Sequence, residues 1–218
     1  MTHGYEQSPV TGMSAVILAG GRSLRMEGAS KPALPIGSES MLARRVRLLS
    51  GLFSEIIVSV PFGGLAGMEE LLSPSMLDSV TVVSDPLPGI GPLAGLISAL
   101  STTSSPAAFV STVDAPYLVP SLTALLAAAL TGHAAAVPLW RGYPEPLVAC
   151  YSVDIIPAVQ RTVDAGQHRI VSFYDDIDVV YVDERRIRAA DPGGRSFVNI
   201  NTPEEYRQLL AAVQREEK

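Results

Sequence analysis

Two adjacent glycines, Gly20 and Gly21, stand at the end of a short apolar run, and Arg22, Arg25 and Lys31 follow them. Adjacent glycines admit positive φ and let the backbone come close to a ligand, while their N–H groups can meet phosphate or base oxygens. Such a loop suits a small anionic ligand, although a glycine pair also serves ordinary tight turns. The lysine is itself unusual, because the chain carries 14 arginines and only two lysines, Lys31 and Lys218. An ammonium is a compact point charge on a flexible stem, whereas a guanidinium is a broad planar fork. A lysine beside a crowded phosphate would be a geometric choice, and chance survival of a single lysine in the loop is the alternative. Two acids complete the set. Asp114 ends the run AAFVSTVD, and Asp85 ends SVTVVSD. An aspartate at a strand end offers a hard oxygen ligand for Mg²⁺, which keeps several waters and needs only one or two carboxylates beside substrate phosphates. The same Asp114 can instead cap the helix near residue 120, and Asp85, in Ser-Asp-Pro, can be plain turn chemistry.

The loop follows neither of two common phosphate patterns. Gly28 precedes Lys31 by three residues and Pro32 follows it, so the G-x-x-x-x-G-K-[ST] spacing fails, as does G-x-G-x-x-G. No Ser-His-Asp or paired-carboxylate arrangement stands out. His3 lies in the polar N-terminal segment, His133 follows Gly132, and His168 is expected as a surface or substrate contact. Cys150, the only cysteine, sits in the apolar stretch PLVACY, as a small buried hydrophobe does.

Net charge is −6 at pH 7, which argues against a nucleic-acid coat or a membrane-surface protein. Residues 22–47 are locally basic, with Arg44, Arg45 and Arg47 expected on the solvated face of a helix. No apolar run approaches the ~18 residues of a membrane span, and the first dozen residues lack the regions of a signal peptide. The expected setting is cytoplasmic, with residues 1–12 as a flexible tail and 13–218 as a single domain.

The elements that must position these groups alternate. Strands are expected at 14–19, 54–60, 79–85 and 107–114, with helices at 40–52, 64–72, 92–100 and 120–130 between and after them. This alternation predicts a parallel sheet covered on both faces. AAAVPLW (134–140) and PEPLVACY (144–151) look like a hairpin around Gly142, which makes the sheet mixed. Helices follow at 153–165 and 169–175, then a strand at 178–182. Thr202-Pro-Glu-Glu205 fits a capping box with Pro in the first turn, opening a last helix to about residue 215. In open α/β sheets ligands collect beyond the carboxyl ends of the strands, where the glycine loop, Asp85 and Asp114 converge.

The segment LAGGRSLRMEGASK (18–31) resembles the signature of sugar-nucleotide and cofactor nucleotidyltransferases. GPLAG (91–95) and FVNINTPEEY (197–206) narrow the resemblance to the MobA-like molybdenum cofactor guanylyltransferases, and VDAPYL (113–118) and AGQHRI (165–170) resemble that family's metal-binding and late basic segments. The resemblance spans about residues 14–213. It implies a Rossmann-like three-layer α/β/α fold with a mostly parallel mixed sheet, of the GT-A-like nucleotidyltransferase architecture. It implies transfer of GMP from GTP to the terminal phosphate of molybdopterin cofactor, with Mg²⁺. Carried over by position, Leu18, Ala19, Gly20, Gly21, Arg22 and Ser59 contact the nucleotide, Asp85 holds the nucleoside, and Asp114 binds nucleotide and Mg²⁺. Lys31 binds phosphates and, with Arg25 and Asp114, supports the chemistry; Asn199, Asn201 and Arg169 face the pterin substrate. Glu27, Ser30 and Ser59 depart from the Gly, Asp and Asn common at those places. Implied partners are GTP, the pterin and a molybdoenzyme or its chaperone. A cytidylyltransferase on the same pterin, a transferase acting on another phosphorylated metabolite, and a non-catalytic nucleotide-binding domain are the alternatives.

Overall fold

The strand Ser14–Leu18 (β1) buries all five of its side chains, because helices cover both faces of the sheet in which it is central. The computed structural model describes residues 9–20, 25–26, 29–64, 67–86 and 88–216. After β1 come two small ribbons, Arg25–Met26 (β2) with Ala29–Ser30 (β3), and Pro35–Ile36 (β4) with Glu39–Ser40 (β5), separated by a 3₁₀ turn at Lys31–Ala33. Met41–Ser50 (α1) leads to Ile56–Val60 (β6), then Met68–Leu71 (α2), Pro74–Leu77 (α3) and Thr81–Ser84 (β7). Pro92–Thr102 (α4), Ala107–Thr112 (β8) and Pro120–Ala129 (α5) follow. The last third contains Ala135–Trp140 (β9), Tyr143–Pro144 (β10), Val148–Ser152 (β11), Ile156–Asp164 (α6), Val179–Val182 (β12), Glu184–Ala190 (α7) and Pro203–Glu216 (α8).

The eight-stranded sheet runs β10-β9-β11-β8-β1-β6-β7, with β12 on the other edge of β9. Strands β8, β1, β6 and β7 are mutually parallel, whereas β11 is antiparallel to both β8 and β9. This is the mixed, mostly parallel sheet expected from the alternation of elements. The period-2 geometry of strands divides the core in two. Ala15, Ile17, Val58 and Phe109 point to one layer, with α1, α5, α7 and α8; Val16, Leu18, Ile57 and Val110 point to the other, with α4 and α6. The expected hairpin at Gly142 is present. Arg141 and Gly142 both hold positive φ (51° and 83°), as a two-residue turn between twisted strands requires.

Two expectations need correction, and one element was missed. The helix expected over 64–72 is shorter, Met68–Leu71, with the separate turn of helix α3 after it. The helix expected at 169–175 is absent; turns occupy this stretch, ending in a 3₁₀ segment at Tyr174–Asp176. Ile170, Phe173 and Tyr174 mimic helical spacing, but Phe173 and Tyr174 pack into the core from turns, with ring centroids 5.0 Å apart. Helix α7 was not expected at all. Asp183 caps it through Arg186 N, and Ile187 is its one buried residue. Val10, inside the segment expected as a tail, donates its N–H to Leu52 O at 2.9 Å.

Candidate active site

The carboxyl ends of β8, β1, β6 and β7 form one rim, held in step by backbone bonds beyond the strands. Val113 N donates to Leu18 O (3.2 Å), Ala19 N to Ser59 O (2.8 Å) and Asp85 N to Val60 O (2.9 Å). Four adjacent strands span three interstrand spacings, about 14 Å. Asp114 therefore stands at one end of a row, Gly20 and Ser59 within it, and Asp85 at the other end.

At the Asp114 end, Lys31 opens the 3₁₀ turn, with Pro32 next to it, and only 5% of the residue is exposed. Its Nζ donates to Asp114 Oδ2 at 3.0 Å and to Asn201 Oδ1 at 2.8 Å. The expected capping box holds that second partner in place. Glu205 Oε2 accepts from the backbone N–H of Asn201 (2.7 Å) and of Thr202 (2.9 Å), while Thr202 Oγ1 accepts from Glu205 N (3.2 Å). These backbone donors, Asn201's first, draw the Glu205 carboxyl below its ordinary pKa. Ile200 N also donates to Asp114 O at 2.9 Å. A cap at the start of the last helix thus fixes the asparagine that fixes the lysine, beside the strand-end aspartate.

Arg45 lies beneath this end of the site. It is not on a solvated helix face, as expected from sequence, but 1% exposed. Its Nε donates to Ser111 Oγ (3.2 Å) and its Nη1 to Ala115 O (3.0 Å) and Tyr117 O (3.1 Å). Helix α1 thereby clamps the two carbonyls that follow Asp114. Nη2 finds no hydrogen-bond partner among the described residues. Burial lowers the guanidinium pKa to about 10, and the nearby Asp114 charge acts in the opposite direction. Arg47, its side chain 51% exposed, does reach the surface, where it pairs with Glu39; the Arg44 side chain, also paired with Glu39, is only 15% exposed and its Nε donates to Pro116 O at 3.4 Å.

At the Asp85 end the rim opens into a cavity of about 690 Å³. Ser59, 2% exposed, forms its floor, and the serine hydroxyl donates to Asp85 Oδ1 at 2.7 Å. Burial raises the Asp85 carboxyl above its ordinary pKa despite that hydrogen bond. Gly95, the last glycine of GPLAG, permits this pairing. A Cβ there would stand 2.8 Å from Ser59 Oγ, 3.0 Å from Leu18 Cδ2 and 3.4 Å from Asp85 Oδ1. Gly20 is similarly close to Pro61, whose Cγ would be 3.3 Å from an added Cβ.

Lys31, Asp114 and Asn201 are thus brought together at one end, with Leu18, Gly20, Ser59 and Asp85 lining the cavity at the other. Arg169, expected with the pterin-facing asparagines, lines the Asp85 cavity beside His168. Asn199 is exposed, next to Ile200. Gly21 and Arg22 lie outside the described residues, as does Glu27; Arg25 is described only as backbone in β2. Arg45, Gly95 and Phe62, the last two lining the cavity, were not among the expected site residues. The repeated close spacing of GPLAG and an aromatic in a Pro-Phe-Gly-Gly turn were the only signals for the last two.

Among the described residues no group of three or more His, Cys, Asp or Glu gathers to hold a metal by itself. The lone Asp114 carboxylate, with a 21% exposed side chain, has lone pairs beyond the one that meets Lys31. That donor set suits Mg²⁺, which arrives with phosphates and water as its other ligands. Among the described residues no helix is long and apolar enough to cross a membrane.

Known proteins share this sequence and fold. Residues 15–179 match the MobA-like NTP transferase domain. A probable molybdenum cofactor guanylyltransferase of Methanosarcina mazei is 34% identical, over 90% of this chain and 89% of that protein. The molybdenum cofactor guanylyltransferase of Shewanella frigidimarina is 31% identical, over 92% and 97%. In fold, the crystal structure of molybdopterin-guanine dinucleotide biosynthesis protein A from Archaeoglobus fulgidus superposes with a TM-score of 0.78 at 23% identity, covering 93% of this chain and all of that one. By its sequence, the chain belongs to the MobA-like NTP transferase family.

Proposed function

We propose that this protein transfers GMP from GTP to the terminal phosphate of molybdopterin cofactor and releases pyrophosphate. The observation that carries the proposal is the row of strand ends: a buried ammonium between Asp114 and Asn201 at one end, and a nucleoside-sized cavity with the Ser59–Asp85 pair at the other. The names of the relatives point to the same acceptor and nucleotide.

In this reaction an oxygen of the acceptor phosphate forms a bond to the α-phosphorus of GTP, and the bond from that phosphorus to the β-phosphate oxygen breaks. A phosphate monoester has a second pKa near ~6, so the nucleophile is already anionic and needs no general base. The chain's work is positioning and charge stabilisation. Asp85 and the backbone of Leu18–Gly20 hold the nucleoside, with Ser59 keeping the Asp85 carboxylate in one orientation. Lys31, anchored by Asn201, offsets charge on the phosphates as pyrophosphate departs; Gly21, Arg22 and Arg25 belong to the same loop. Asp114 would hold Mg²⁺, which would supply further neutralisation of that charge. Asn199 and Asn201 are assigned to the acceptor side, whereas Arg169, which lines the Asp85 cavity, is assigned to the nucleotide side. The cytoplasm, and a molybdoenzyme or its chaperone as recipient, complete the reading.

The test is pyrophosphate release with a molybdopterin-type acceptor, Mg²⁺ and each of the four nucleotides. Guanine presents O6 as acceptor and N1–H and N2–H₂ as donors, and adenine reverses the pattern at two of these positions. Each buried group left unpaired costs ~1–3 kcal/mol, so GTP is expected to exceed ATP and CTP by on the order of a hundredfold in kcat/KM. Equal or better kcat/KM for CTP moves the chain to cytidylyl transfer. Nucleotide binding without pyrophosphate release with any nucleotide makes it a non-catalytic binding domain.

A further inference from the structure

We infer that Phe62 is the stacking surface for the nucleotide's base, and that it biases this chain toward purines. The inference rests on the nucleotide reading above and adds a residue that neither the sequence motifs nor the Ser59–Asp85 pair supplies. Phe62 is 62% exposed, yet it lines the cavity that holds Ser59 and Asp85. Single exposed apolar residues are ordinary on protein surfaces. Among the described residues, Phe62 differs from the other large exposed apolar side chains, Tyr143, Tyr181 and Val198, in that it alone lines this cavity. Tyr181 has an aromatic neighbour in Tyr174, whereas no ring packs on Phe62 among the described residues.

The backbone builds a pedestal for this ring. Gly64 N donates to Pro61 O at 2.8 Å, closing a turn with Phe62 as its second residue. The third residue, Gly63, has φ of 77°, the pattern of a type II turn. A Cβ on Gly64 would stand 2.9 Å from Pro61 O, so the turn closes this tightly only with glycine there. Pro61 in turn packs on Gly20 of the loop that follows β1. A rigid turn braced against the nucleotide loop therefore presents an aromatic face at the rim, while the polar pair lies on the floor. A planar base fits that division: its edge meets the Asp85 carboxylate below, and its face meets the ring at the mouth. Stacking is sequence-tolerant but grows with the area of the base, so a two-ring purine gains more than a one-ring pyrimidine.

The test is calorimetric titration of GTP and CTP, each with Mg²⁺, into the wild type, Phe62→Ala, Phe62→Leu and Phe62→Trp, with thermal unfolding of each variant as the folding control. Phe62→Ala is expected to weaken GTP binding by about tenfold and CTP binding by no more than about threefold. Phe62→Leu, which keeps apolar area without a π face, is expected between the wild type and alanine. Phe62→Trp is expected to retain GTP binding within about twofold, with indole emission quenched on addition of GTP beyond any change from Trp140 alone. A Phe62→Ala protein that unfolds like the wild type and binds GTP within about twofold of it overturns the inference while leaving the nucleotide reading intact. A wild type that binds neither nucleotide overturns the nucleotide reading, and the role of Phe62 with it.

Discussion

Lys31 Nζ lies 3.0 Å from Asp114 Oδ2, so the loop's one described lysine is already paired with the acid that suits Mg²⁺. The pair is half-open by design: the ammonium is nearly buried, whereas the carboxylate side chain remains 21% exposed. A cation approaching Asp114 meets a carboxylate whose charge Lys31 partly offsets.

Asp114→Asn separates charge from shape. The amide oxygen still accepts from Lys31, so the fold is expected to persist. Mg²⁺-dependent turnover is expected to fall about a thousandfold, because several kcal/mol of transition-state charge stabilisation is lost. Pyrophosphate release over a Mg²⁺ titration, with circular dichroism as the folding control, decides the matter. Near-normal turnover with unchanged Mg²⁺ dependence would remove Asp114 from the chemistry.

Lys31→Arg and Lys31→Ala test the geometric requirement. The lysine head is held between two oxygens in a nearly closed space, and a planar guanidinium needs more room. The expected fall in the chemical rate is about tenfold for arginine and about a hundredfold or more for alanine, with GTP affinity changing less. Single-turnover assays at saturating GTP measure this. An arginine variant as fast as the wild type shows that any cation suffices.

Asp85→Asn is expected to bind GTP more weakly yet unfold at a higher temperature. Burial raises the Asp85 carboxyl above its ordinary value, so the folded state disfavours the charged form. That cost is absent below the unfolded pKa, grows as pH rises through the folded pKa, and is complete above it. Asparagine keeps an acceptor for Ser59 and removes the charge. The gain in Tm is expected to be about 1–3 °C at neutral pH and to vanish in acid below the unfolded pKa. Differential scanning fluorimetry in both buffers, paired with GTP titration, checks both halves; a lower Tm at neutral pH contradicts the account.

Arg45→Lys is expected to destabilise the protein by about 2–4 kcal/mol, because one ammonium cannot reach Ser111, Ala115 and Tyr117 together. The carbonyls it abandons follow Asp114, so the variant is also expected to need severalfold more Mg²⁺ for half-maximal turnover. Denaturant unfolding and a Mg²⁺ titration of the rate give the two readouts. Loss of stability with an unchanged Mg²⁺ requirement reduces Arg45 to packing.

The sequence made the strands of the sheet legible because four of them are short apolar runs ending in a loop or an acid, and the capping box because its residue types are specific. Lys31, Asp114 and Asn201 came from separate motifs, and only the fold shows that they touch. Helix α7 was illegible because ERRIRAA buries a single side chain, leaving no apolar period to detect. Arg45 was misjudged for the opposite reason: an arginine between Arg44 and Arg47 looks solvated, and nothing local reveals three acceptors contributed by residues 111–117. Gly95 stood inside a recognised motif, but its reason is the hydroxyl of Ser59, which lies on another element.

The cap on the last helix has a consequence for the order in which the protein takes shape. Lys31 and Asn201 are 170 residues apart, so a growing chain has its glycine loop and both rim aspartates long before the lysine's second anchor exists. Contacts that distant are slow to close and late to be rewarded. A chain that ends before Asn201 leaves Lys31 without the second of its two partners. The placement of Lys31 between Asp114 and Asn201 is therefore complete only once the segment that opens α8 has been added.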